Sequence, residues 1–349
     1  MKKRLVKIGI METGPRNSIT DVDGVCVGHF TIHDGGINTG VTAIMPHKGN
    51  LFRDKVVAAS YVFNGFGKSA GLIQIDELGH IESPILLTNT LSVGSVVDAS
   101  VRYSLDKNEE IGITTGTVNS VVLECNDSRL NNIRKMVITK DDVFQAINNA
   151  SSDYEDGSVG AGSGMICHGL KGGIGSSSRV FNINNEKFTL GVLVNTNFGH
   201  SSGKDLVFNG RHIGKDIEMI KNTEEDKGSI IVVIATDVPL DTNSLKRVVK
   251  RASIGIGKTG SYVGHGSGDI FVGFSTGNIV KHFNDNPFNN FKILNEDYIN
   301  ILFRAVVEAT EEAILNSMLY SDKLKGYIKT VDSINDYKDL FEDLLIKNE

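Results

Sequence analysis

The pair Gly228-Ser229 stands at the head of an apolar run, Ile230-Ile231-Val232-Val233-Ile234-Ala235, that closes on Thr236-Asp237. An apolar run of this length between polar residues predicts a strand buried on both faces. The start of such a strand is a rigid platform for a hydroxyl. Gly228 has no Cβ, so the peptide bond before Ser229 can be held in a strained, attackable conformation. If the Ser229 hydroxyl attacked the Gly228 carbonyl and the ester were hydrolysed, the new chain would begin with a serine bearing a free amine. That amine, with a pKa near ~8, could take the hydroxyl proton in later turnovers, so nucleophile and base would be one residue. The same pair also suits an ordinary turn before a core strand.

Other residues carry compatible chemistry. Ser267 and Asp269 lie two apart before the apolar run Ile270 to Phe274. If the strand extends through them they share a face, where a hydroxyl beside a carboxylate can orient or pass on a proton. Thr189 to Val194 predicts a strand ending in Asn195-Thr196-Asn197-Phe198-Gly199, and an asparagine amide there could donate to an oxyanion. Val118 to Glu124 predicts a strand that delivers Glu124, Cys125, Asn126 and Asp127 at its end, either as a site or as a plain strand stop. Asn64 to Gly71 reads as a glycine-rich loop where backbone can approach a ligand, or as a turn with none.

Two tempting motifs fail on context. Gly160 to Arg179, GAGSGMICHGLKGGIGSSSR, lacks the strand-loop-helix setting of a dinucleotide cradle. It suits close passage of sheet layers or substrate past the backbone. Ala252 to Thr259 satisfies a loosened phosphate-loop pattern, but a helix precedes it and a glycine-rich stretch follows. No metal-binding motif occurs and the nine histidines are scattered, so no metal or other cofactor is expected.

The elements needed to position these groups are mainly strands. Short β-type runs at Val25 to Val27, Phe30 to Ile32, Val41 to Met45, Val56 to Phe63 and Pro84 to Thr90 alternate with glycine and aspartate turns. Helices are predicted over Ser92 to Ser104, Asp141 to Ala150, Asn243 to Ala252 and Glu296 to Leu319. Lys221 to Lys227 reads as a solvated loop, and Tyr320 to Glu349 as a charged tail with a short helix around Leu340 to Ile346. This pattern predicts a layered α+β domain.

With 349 residues, 40% apolar and 22% charged, the chain can bury a substantial core. A formal charge of −6 gives no basic footprint for nucleic acid or an anionic membrane. Small molecules or other copies of the chain are the expected partners. Three cysteines, Cys26, Cys125 and Cys167, fit free buried thiols in a reducing compartment. The N-terminus shows no signal-peptide core and no run reaches membrane-span length, so a cytoplasmic location is expected.

GSIIVVIATDVPL, LKRVVKRASIGIGKTG and GSGDIFVGFST together resemble the self-cleaving P1 peptidase family, that of the D-aminopeptidase DmpA and the β-peptidyl aminopeptidases. Similar stretches occur at NSITDVDGVCVGH, GVTAIMP, SPILLTNTLSVG, ECNDSRLNNI, GAGSGMICHGLKGGIGSSSR and EATEEAILNS, in family order over nearly the whole chain. The resemblance implies a single catalytic domain over residues 1–349, an αββα sandwich of the DmpA and ornithine acetyltransferase type. It implies cleavage between Gly228 and Ser229 into an α part, 1–228, and a β part, 229–349, assembled as oligomers of cleaved protomers. Ser229 would be the nucleophile, Asn197 the oxyanion donor, and Ser267 with Asp269 the supporting pair, acting on small peptides or amino acid amides. Glu124, with Asn126 and Asn64, would bind substrate, Glu124 anchoring its ammonium. Relatives often carry glutamate where this chain has Lys68, and sometimes tyrosine at the position of Asn126. A glutamate-linked acyltransferase of the same superfamily, a nucleotide-binding protein and an uncut structural member are the alternatives.

Overall fold

Alternation within the central apolar run sets the layering. Ile230, Val232 and Ile234 belong to one apolar core, and Ile231, Val233 and Ala235 to a second. A period of two requires this when both faces of a strand are covered. The computed structural model describes residues 4–217 and 227–346, so the polar run expected as a loop before this strand lies outside the described residues except for Lys227.

In chain order the strands are β1 (Cys26–Asp34), β2 (Ile37–Met45), β3 (Asp54–Gly65), β4 (His80–Ile81), β5 (Ile85–Asn89) and β6 (Val121–Cys125). There follow the short pair β7 (Ile166–Cys167) and β8 (Leu170–Lys171), then β9 (Ile174–Ile183), β10 (Glu186–Asn197), β11 (Lys227–Thr236), β12 (Gly266–Lys281), β13 (Leu324–Lys325) and β14 (Thr330–Val331). The helices are α1 (Leu72–Leu78), α2 (Val93–Lys107), α3 (Lys140–Asn148), α4 (Thr242–Val249), α5 (Ala252–Lys258) and α6 (Asn300–Leu319). One sheet has the order β1-β2-β5-β6 and the other β4-β3-β12-β11-β10-β9.

Residues from both sheets, among them Ile44, Leu87, Leu123, Leu193, Val233 and Val272, form the core between them. Helices α2 and α3 close the outer face of the four-stranded sheet through Val96, Ala99, Val143 and Ala146. Helices α4 and α6 cover the six-stranded sheet through Leu245, Val248, Leu302, Val306 and Ala309. The result is the αββα sandwich expected from the resemblance. Thr139 and Asp142 form a capping box that starts α3, and the Asp241 carboxylate caps α4 by accepting from Ser244 N at 2.7 Å.

Three expectations are corrected or extended. The loosened phosphate-loop stretch forms helix α5, with Ala252, Gly255 and Ile256 buried, so its backbone N–H groups serve the helix and not a phosphate. Tyr320 to Ile346 is no solvated tail. Val331, Ile334 and Phe341 are buried, the β13–β14 hairpin closes back on the domain, and 3-10 turns over Ile334–Leu340 and Glu342–Leu344 replace the short helix. Helix α6 also buries charge that its apolar spacing hid. Arg179 of β9, fully buried, donates to Glu308 at 3.3 Å and Glu312 at 2.8 Å, and Arg4 reaches Glu312 at 2.9 Å. Removing one partner from such a set typically costs about 3–5 kcal/mol, because the other charge stays buried.

Candidate active site

The site lies where β11 begins. Gly228 has φ +152°, and a Cβ there would stand 1.9 Å from the Asn197 carbonyl oxygen. Only glycine fits this close approach. Ser229 is buried and pairs with Asn197 of β10 on one side and Gly268 of β12 on the other. Its hydroxyl donates to the Gly228 carbonyl at 2.7 Å.

Strand β12 does extend through Ser267 and Asp269, so the two side chains share a face. Ser267 Oγ donates to Asp269 Oδ1 at 2.8 Å, with both residues buried. The parallel register sets Ser267 against Gly228 and Asp269 against Ile230. The pair therefore flanks the backbone of the Gly228-Ser229 junction, on the parity opposite to the Ser229 side chain. Asn64 donates through its amide to the carbonyls of Ser267, Gly264 at 3.2 Å and His265 at 3.3 Å. It holds the start of β12 and lies outside the cavity lining.

Asn197 is fixed at both ends. Its Oδ1 accepts from Ile166 N at 3.0 Å and its Nδ2 donates to the Asn126 carbonyl at 3.0 Å. An amide nitrogen has two hydrogens, so this bond uses one and leaves a second, on a residue that lines the same cavity as Ser229. The glycine-rich segment supplies Ile166 through the β7–β8 pair, a role its composition did not reveal.

Strand β6 of the opposite sheet closes the site. Cys125, its thiol pushed well up by burial, reaches the Ser229 and Asn195 carbonyls at 3.6 Å each. This contact ties the two sheets together at Ser229, a link that neither the strand-end position nor the buried-thiol reading of Cys125 pointed to; all three cysteines are free and buried. Glu124 beside it is 3% exposed. One oxygen accepts from Lys68 N at 2.9 Å and the other from the Thr90 hydroxyl. Lys68 thus orients Glu124 through its backbone, while its Nζ lies 4.6 Å from the centre of the Phe66 ring. The Asn126 side chain accepts from Ser128 N at 3.0 Å and shapes the following turn.

Ser229, Asn197, Glu124 and Asn126 line one cavity of about 390 Å³, together with Lys68, Arg129 and Lys329. Lys329 comes from the hairpin turn of the segment expected as a tail. No histidine lines this cavity among the described residues. His168, packed on Phe198 just outside it, is fully buried, and burial pushes its imidazole down to about 4. It is neutral at physiological pH. Among the described residues no group of three or more His, Cys, Asp or Glu could hold a metal ion, and no helix is long and apolar enough to cross a membrane.

The αββα sandwich brings a buried serine, a fixed amide and a carboxylate together at one end of its sheets, and comparison with known proteins puts this arrangement among peptide-bond hydrolases of the N-terminal-nucleophile hydrolase fold. The chain belongs to peptidase family S58, whose model matches residues 17–331. It is 37% identical over 339 residues to the β-peptidyl aminopeptidase BapA of Sphingosinicella xenopeptidilytica, covering 90% of this chain and 83% of that protein. A solved structure from Pyrococcus horikoshii OT3 shares 46% identity with a TM-score of 0.91, covering 96% of each chain. The L-aminopeptidase D-Ala-esterase/amidase of Ochrobactrum anthropi, described as a variant of the ntn hydrolase fold, shares 34% identity with a TM-score of 0.88 over 96% of each chain. Membership of a peptidase family favours hydrolysis over the acyltransferase alternative.

Proposed function

We propose that this chain is a self-processing serine aminopeptidase in which Ser229 first cuts its own chain and then its substrates. The observation that carries the reading is a buried serine hydroxyl in contact with the preceding carbonyl, in a cavity whose described lining offers no histidine base. In the first stage Ser229 Oγ adds to the Gly228 carbonyl carbon, its proton passes to the departing nitrogen, and an ester forms. Water hydrolyses that ester, leaving a Gly228 carboxylate and a free amine on Ser229. The products are the α part, 1–228, and the β part, 229–349.

In turnover the new amine takes the Ser229 hydroxyl proton as Oγ attacks the substrate carbonyl. Asn197 Nδ2 donates to the resulting oxyanion, a contribution of about 3 kcal/mol in enzymes that use such a donor. The leaving amine departs with the proton, and water then releases the acyl group. Ser267 and Asp269 flank the junction and orient the Ser229 amine, and Asn64 holds Ser267 in place. Glu124 receives the substrate ammonium, because a buried carboxylate at the cavity wall offers a charge-assisted bond. Asn126 supports that wall and supplies the carbonyl that holds Asn197.

The substrates on this reading are short peptides or amino acid amides with a free N-terminus. The relatives' named activities on β-peptides and on amide substrates support that class. Three free buried thiols suit a cytoplasmic location, and the protein works as a homo-oligomer of cleaved protomers. Intact mass and N-terminal sequencing test the reading. Purified protein yields two fragments, the smaller beginning at Ser229, while Ser229→Ala stays whole and inactive. Wild-type activity in Ser229→Ala would overturn it.

A further inference from the structure

Among the described residues, the cavity holding Ser229 is lined by one carboxylate, Glu124, and three cations, Lys68, Arg129 and Lys329. An ammonium anchor at Glu124 accounts for the carboxylate and leaves Lys68 and Arg129 unexplained. Among the described residues, neither Lys68 nor Arg129 is paired with a carboxylate. Glu124 itself accepts from Lys68 N and the Thr90 hydroxyl.

The turns that carry two of these cations are docked on each other. The turn after β6 carries Arg129, and the β13–β14 turn carries Lys329. Ile328 N donates to the Arg129 carbonyl at 3.1 Å and Tyr327 N to the Leu130 carbonyl at 2.9 Å. Gly326 N closes the hairpin on the Lys329 carbonyl at 2.9 Å. A Cβ on Gly326 would stand 2.5 Å from Leu130 Cα, so the two turns dock only because residue 326 is glycine. A segment from the far end of the chain is thereby locked against the active-site wall, and it carries a cation into the cavity.

We propose that Arg129 and Lys329 form a carboxylate subsite for the leaving group, so that the preferred substrates are dipeptides whose free C-terminus lies one residue past the scissile bond. The inference rests on the aminopeptidase reading and specifies its substrate class. With the ammonium at Glu124 and the scissile carbonyl at Ser229, the leaving residue of a dipeptide ends within the same small cavity. Its carboxylate meets a guanidinium, the group best suited to bind it through two parallel hydrogen bonds. Lys68 adds to the positive field in the cavity from the other wall. An amide-terminated leaving group lacks the charge that these residues read.

The test compares a dipeptide with its C-terminal amide on purified protein, using wild type, Arg129→Gln, Arg129→Glu and Lys329→Gln. Wild type favours the dipeptide by about tenfold or more in kcat/KM, carried mainly by KM and weakened by salt. The preference shrinks in Arg129→Gln and Lys329→Gln, and in Arg129→Glu it reverses toward the amide. Equal hydrolysis of the two substrates by wild type, or a preference that survives all three variants, overturns the carboxylate subsite and leaves the aminopeptidase reading standing. Hydrolysis of neither substrate by cleaved wild type overturns both.

Discussion

The carbonyl oxygen of Asn197 occupies the space that a Cβ on residue 228 would fill, 1.9 Å away, while Asn197 itself pairs with Ser229 in the β10–β11 register. One residue therefore constrains both sides of the bond proposed to break. Its backbone forces Gly228 into a conformation only glycine takes, and its side chain stands beside the serine that follows.

Gly228→Ala tests this constraint. The added methyl must displace the Asn197 carbonyl or the start of β11, moving the Ser229 hydroxyl away from the carbonyl it contacts. Self-cleavage is expected to slow by about a hundredfold or more, since misplacement of about 1 Å at a reacting centre has effects of that size. A time course of fragment formation by mass spectrometry measures it, and cleavage at the wild-type rate would contradict the role given to the glycine.

Much of this site was legible in the sequence, because the groups sit at the ends of runs with clear periodicity. The Ile230 to Ala235 run located β11, and the two-residue spacing of Ser267 and Asp269 gave their common face once β12 included them. What stayed hidden depends on contacts between distant segments. Cys125 reads as a buried thiol until β6 is seen facing β11. Lys329 reads as tail charge until Gly326 is seen against Leu130. Asn64 reads as part of a substrate loop, yet its amide is taken up by backbone carbonyls of residues 264–267. No local pattern encodes pairings between segments so far apart in the chain.

Asn197→Ala in the cleaved enzyme should lower kcat by about a hundredfold or more with little change in KM, since an oxyanion donor acts on the charged intermediate. The variant also loses the bonds to Ile166 N and the Asn126 carbonyl, so melting temperature is followed alongside the kinetics. A rise in KM alone would move Asn197 from the reaction to the binding wall.

Glu124→Gln separates anchoring from chemistry. Wild type is expected to cut a substrate with a free N-terminus at least about tenfold better than its N-acetylated form, on the scale of one charge-assisted hydrogen bond. Glutamine keeps an oxygen acceptor for Lys68 N but removes the charge, so the discrimination should fall. Comparable wild-type hydrolysis of both substrates would replace the aminopeptidase with a broader amidase.

Asp127 makes a pH-dependent contribution that can be read separately from activity. It is buried at the end of β6, and burial raises its carboxyl from 3.8 to about 7 despite a 2.6 Å hydrogen bond from the Thr39 hydroxyl. A carboxyl whose pKa is higher folded than unfolded binds an extra proton in the native state between those two values. Its contribution to stability is therefore full below about 4 and is lost as pH rises through about 7. Asp127→Asn resembles the protonated form at every pH and removes this slope. In the uncut Ser229→Ala background, where unfolding involves one chain, the melting temperatures with and without Asp127→Asn should nearly coincide at pH 4. They should separate as pH rises to 7.5, with the asparagine variant the more stable, by a few kcal/mol at about 1.4 kcal/mol per pH unit of the window. A difference that does not change with pH would mean that Asp127 titrates in the folded chain as it does in the unfolded one, and that burial does not hold its proton.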